Sequence, residues 1–110
     1  MAYDEALAAR VRAELASVAR VTEKEMFGGL AFLVHGNMCV GVAGEELMGR
    51  VGKDGNDAAL ARAGARPFDM TGRPMAGWVV VAPEGLEGNA LAGWVETCLA
   101  FVRTLPPKGA

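Results

Sequence analysis

An α+β fold, with one antiparallel sheet flanked by helices in two layers, is predicted by three features of this sequence of 110 residues. Short apolar runs separated by turn residues crowd between Val21 and Val51, amphipathic helical spacing marks both ends of the chain, and a single short helical pattern interrupts the strands. Neighbouring strands broken by single helices argue against an alternating parallel sheet, and the expected order is α-β-β-β-β-α-β-β-α. Hydrophobic residues at 52% and charged residues at 22% match globular proteins rather than disordered chains. The length suits one domain over residues 1–110, with an ordered core over about 3–106 and a loose tail at 107–110.

The opening segment "YDEALAARVRAELASVA" places Leu7, Val11, Leu15 and Val18 on one helical stripe, with Arg10, Arg12 and Glu14 elsewhere. Asp4 is its expected cap, because a carboxylate there accepts from orphan amides and suits the positive end of the helix. Beyond Arg20 the pattern changes to strands: "VTEKEM", "LAFLV", "MCVGV" and "ELMGRV", with "HGN" and "AGE" as tight turns. In "LAFLV", Leu30, Phe32 and Val34 share one face while Ala31 and Leu33 share the other, so the strand is apolar on both sides and wants cover on both. Helices suffice for one side; a second subunit is the expected cover for the other, which makes a homodimer an expectation.

"GNDAALARAG" starts with helix-initiating Asn56 and Asp57 and stops at Gly64, predicting a short helix. "RPFDM" and "GWVVV" read as two further strands joined by the loop "TGRPM". After the turn-rich "PEGLEGN", "ALAGWVETCLAFVRTL" carries Leu91, Trp94 or Val95, Cys98, Val102 and Leu105 on one stripe, and Pro106 and Pro107 stop it.

Charge narrows the partners. Eleven Lys and Arg against 13 Asp and Glu leave a net charge of -2, whereas an autonomous nucleic-acid-binding domain carries a positive excess; direct high-affinity nucleic acid binding is not expected. The first residues form neither a secretory signal nor a membrane span, so a cytoplasmic location and no membrane partner are expected. Cys39 and Cys98, the two cysteines, read as buried small hydrophobes rather than a disulfide.

Chemistry-bearing motifs are sparse. The pair Gly28-Gly29 lacks the Lys-Ser/Thr of a phosphate loop and precedes a strand rather than a helix, so it reads as a backbone bend. His35, the only histidine, has no second ligand for zinc and sits at an expected hairpin tip. Pairing it with Cys39 as a nucleophile gives poor geometry across one hairpin and no orienting group, so no catalytic residue, metal site or cofactor is expected. The carboxylates read as solvated surface. Met26, Met38, Met48, Met70 and Met75 read as adaptable core packing. Lys24, Arg50, Arg66 and Arg73 flank strands or precede the last one, where they either form ordinary surface charge or converge on an acidic partner or phosphate beside Trp78.

Taken together, "VTEKEMFGGLAFLVHGNMCVGV", "ELMGRVG", "GARPFDMTGRPMAGWVVV" and the closing "WVETCLAFVRTLP" resemble the N-terminal domain of the TfoX/Sxy family over roughly residues 3–106. Met26-Phe27-Gly28-Gly29 is the motif that marks the resemblance once the "RPFDM" and "GW" blocks follow in order. The resemblance implies a two-layer domain among bacterial regulators of natural competence that act with the cyclic-AMP receptor protein at promoters. It also implies a stand-alone N-terminal domain, since those regulators carry a second, C-terminal helical domain with no counterpart in this sequence. It assigns no catalytic residue. The expected activity is that of a non-enzymatic interaction domain whose partner is a protein of the transcription machinery, with Lys24, Phe27, Gly28, Gly29, Arg50, Arg73 and Trp78 as candidate contacts. The alternative is a small-molecule or nucleotide binder using the Gly28-Gly29 bend and nearby arginines.

Overall fold

Helical spacing at the start of the chain becomes helix α1, Glu5–Glu14, in the structure, a computed structural model that describes residues 3–26, 28–69 and 74–107. Asp4 caps it, its carboxylate accepting from the Leu7 amide at 3.0 Å. Leu7, Val11 and Leu15 are buried along its inner stripe, and Val18 packs part-buried beside them. The helix ends one turn earlier than the apolar spacing suggests, and residues 15–20 continue as turns.

Four strands follow in an antiparallel meander: β1 Val21–Met26, β2 Gly29–Val34, β3 Asn37–Ala43 and β4 Glu46–Arg50. Helix α2, Asn56–Leu60, leads to β5, Ala65–Asp69, and β6, Pro74–Val81. A 3-10 turn at Pro83–Gly85 precedes helix α3, Ala90–Val102. The expected order is therefore the observed one, and the six strands form a single sheet. Its spatial order is β1-β2-β3-β4-β6-β5, so β4 pairs with β6 and β5 is sent to the far edge.

Side chains alternate across a pleated strand, and register carries that alternation from strand to strand. Phe32, Val40, Gly49 and Val79 are paired in sequence and define the inner face; the three side chains among them are fully buried. Helices α1 and α3 contribute Val11, Trp94, Val95, Cys98 and Val102 to the same core. The close approach of α3 depends on Gly49, where an added Cβ would lie 3.0 Å from the Cys98 sulfur. Arg62, just past α2, stacks on Trp94 with its guanidinium carbon 3.6 Å from the ring centroid and donates to the Thr97 hydroxyl at 3.0 Å. These contacts tie α2 to α3 and complete the helical layer.

One irregularity decides what faces outward. In β3 the register slips between the pairs Phe32–Val40 and Leu33–Met38, which leaves Cys39 as an extra residue on that strand. Cys39 and Val40 both point into the core, while Met38, two residues before Val40, emerges on the opposite face.

Candidate functional site

The face of the sheet opposite the helices is lined by apolar side chains. Register aligns Lys24, Ala31, Gly41, Met48, Val80 and Arg66 in one row across all six strands, charged only at its two ends. The centre of the row is shallow because Ala31 and Gly41 are small. The terminal methyls of Met38 and Met48 converge above Gly41, each 2.9 Å from where a Cβ there would stand. Around this floor, Met26, Phe68, Met75 and Trp78 border a groove of about 330 Å³. Phe68 and Trp78 lean together with ring centroids 6.1 Å apart. Met75 is 45% exposed, an unusual value for a large apolar side chain in a sheet of this chain.

Four of the five methionines expected as core packing are thus not in the core. Met26, Met38 and Met48 are half-buried and Met75 is exposed, all four against the groove; Met70 lies outside the described residues. The bulge at Cys39 explains part of the difference, since uniform alternation would have put Met38 beside Val40 and Val42 in the core. Thioethers are soft and flexible, a composition suited to surfaces that mould to what they contact.

The candidate contacts separate into groups. Arg50 and Trp78 are directly paired across β4 and β6, and the Arg50 guanidinium carbon stands 5.4 Å from the Trp78 ring centroid and 5.6 Å from that of Phe101. Lys24 sits exposed on the edge strand β1 at one end of the row. Gly28 and Gly29 lie at the β1–β2 hairpin, four residues along the strands and two strands across from Arg50, about 16 Å by strand geometry. Gly28 has a φ of 76° in the turn, and a Cβ on Gly29 would stand 2.5 Å from the Val42 carbonyl oxygen. Main-chain demands account for both glycines. Phe27 and Arg73 lie outside the described residues.

Two of the remaining arginines form ion pairs, and both thiols are buried. Arg66 meets Glu46 through two hydrogen bonds, at 2.5 and 2.8 Å, and Arg12 of α1 meets Glu23 of β1 at 2.6 and 2.7 Å. These guanidinium hydrogen bonds hold both carboxyls below their ordinary range. His35 is exposed at the β2–β3 turn with a φ of 52°, while Cys39 is fully buried. Burial pushes both the Cys39 and Cys98 thiols up to about 12, far from the thiolate a nucleophile requires. Among the described residues, no three His, Cys, Asp or Glu side chains gather as a metal site. No helix among them is long and apolar enough to cross a membrane.

In comparison with known proteins, the family model described as the TfoX N-terminal domain matches residues 13–102. No curated protein and no solved structure matches the chain.

Proposed function

The chain belongs to the TfoX N-terminal domain family, and from that premise we propose that it is a non-enzymatic interaction domain with a regulatory role, acting through protein-protein contacts made by the sheet face opposite the helices. The observation that carries this reading is the apolar groove bordered by Met26, Met38, Met48, Met75, Phe68 and Trp78 on the face opposite the helices. A continuous exposed apolar patch of this kind is the usual mark of an interaction site, and an antiparallel sheet that only met water would alternate apolar inside with polar outside. The regulatory part rests on the resemblance to TfoX/Sxy competence regulators, and with it go a cytoplasmic location and a partner in the transcription machinery. Arg50 beside Trp78, and Lys24 at the edge, are the charged contacts of the same face.

Photo-cross-linking residues introduced singly at Met75 and Val80, with Glu14 and Ala100 on the helical side as controls, test the reading in the native host cell. The expected result is a discrete adduct with one protein from the sheet-face positions alone. Equal labelling from both layers, or adducts with no protein at all, would overturn it.

A further inference from the structure

Resting on the reading of the open face as a contact surface, we propose that its occupant is an amphipathic helix of a different protein, with acidic side chains flanking its apolar stripe. Three properties of the face lead there. The groove runs from Met26 on β1 to Phe68 on β5, across six strands. Five strand spacings make about 24 Å, the length of roughly 16 helical residues.

The second property is the chemistry of the floor. Among the described residues, every side chain bordering the groove is apolar. A segment lying there in extended form would press its backbone amides and carbonyls against groups that neither donate nor accept, whereas a helix satisfies its own backbone before docking. Strand addition at the sheet edges is discouraged as well. The β1 edge carries Glu23, Lys24 and Glu25 in succession, and the β5 edge carries Pro67, which has no amide to donate. A helix held by side chains against a methionine-rich floor meets both constraints.

The third property is charge. The register puts Lys24, Arg50 and Arg66 on this face against one strand carboxylate, Glu46, which Arg66 already holds. Two cations are left, Lys24 on the edge strand β1 and Arg50 on the interior strand β4 beside Trp78, in a chain whose net charge is -2. Neither Lys24 nor Arg50 has an ion-pair partner among the described residues. Acidic flanks on the incoming helix complement them. A second copy of this chain, stacked face to face, would bring the same two cations and, of the carboxylates named on this face, only the Glu46 that Arg66 already holds, a poor complement for pairing.

A display selection with 16-residue peptides against the intact chain tests the proposal. Enriched sequences should carry apolar residues at helical spacing with Asp or Glu beside them, and the resynthesised peptide should become helical on binding. In fluorescence anisotropy, Met75→Asp should weaken it at least tenfold with the melting temperature retained, as suits an exposed side chain. Lys24→Gln with Arg50→Gln should weaken it roughly fivefold and flatten its salt dependence, the signature of surface charges that steer and orient a partner. Four results would overturn the proposal: no enrichment, basic or non-helical winners, binding indifferent to Met75→Asp, or a concentration-dependent dimer that Met75→Asp dissolves. Flotation with anionic phosphatidylglycerol vesicles that depends on Lys24 and Arg50, in place of peptide binding, would overturn it too. Face-specific protein cross-links that persist without an acidic helical ligand would remove only this occupant, whereas their loss as well would remove the contact-surface reading.

Discussion

Replacing Gly29 by alanine asks directly whether the glycine pair serves the main chain or a ligand. Gly29 is buried at the start of β2, and its φ is not in the left-handed region, so alanine meets no conformational barrier there. The obstacle is space: the new Cβ would stand 2.5 Å from the Val42 carbonyl oxygen and 3.5 Å from the Ala43 Cα. That oxygen belongs to the neighbouring strand, held on one side by β2 and on the other by β4, and cannot rotate away as a side-chain end would. Overpacking of this kind costs about 1–3 kcal/mol, and a backbone obstacle belongs in the upper half of that range. For a chain of this length, about 2–3 kcal/mol corresponds to a loss of roughly 9–13 °C in melting temperature. Thermal and urea unfolding followed by circular dichroism would measure it. Gly28→Ala, at an exposed turn position with a φ of 76°, isolates the conformational part and should cost about 1–2 kcal/mol. A Gly29→Ala variant melting within two or three degrees of the parent would refute the reasoning. It would return the pair to consideration as a ligand cradle.

Three further outcomes follow from the packing and the charges. Gly49→Ala should destabilise by about 1–2 kcal/mol because its Cβ meets the Cys98 sulfur at 3.0 Å, and Cys98→Ala should recover part of that loss in a double-mutant cycle; strict additivity would deny the contact. Glu46→Gln should lower stability at pH 7 by less than about 1 kcal/mol, since the pair with Arg66 is largely solvated. The sign of its pH dependence is set by the lowered folded-state pKa: the stabilisation is complete above the unfolded value near 4.3 and is lost as pH falls through the folded value. The gap between urea midpoints of parent and variant should therefore close in acid, and a gap that widens would contradict the pairing. Both cysteines should resist iodoacetamide at pH 7.5 in the folded chain and react at once in urea; rapid native alkylation of Cys39 would reopen a catalytic role for it beside His35.

What was legible in the sequence is what local chemistry dictates. The Asp4 cap, the Leu7-Val11-Leu15 stripe, the meander and the closing helix each follow from spacing within one element, and each stands in the structure. The inner and outer faces of β2 were readable for the same reason, because "LAFLV" keeps its alternation. The pairing of β4 with β6 was not, since nothing within either strand names its neighbour across the intervening α2 and β5. Nor was the methionine face. Period-two reading assumes an unbroken ladder, and the extra residue at Cys39 reverses the assignment of Met38 relative to Val40. The candidate contacts were legible as a list and not as a site: Arg50 and Trp78 meet, Lys24 lies at the end of the row, and the glycine hairpin stands apart from them.

The middle of that row carries the case for a missing third layer. In a sheet with one wet face, the positions alternating with the core should be polar along every strand, and the central strands should be no exception. Here Ala31, Gly41, Met48 and Val80 occupy those positions on four consecutive strands; within this row charge appears only on the two edges, while Glu46 and Arg50 of β4 stand two residues to either side of Met48. Edge strands have their own reason to carry charge, because it blocks pairing with other sheets. The two signals therefore divide by position: the edges are protected against added strands, and the centre is left apolar beneath flexible thioethers. A surface needing only solubility would not require that division, whereas one receiving a single apolar layer from above requires both halves of it. The helices buried on the inner face meet the same apolar centre from the other side, so the centre of the sheet is apolar on both of its faces.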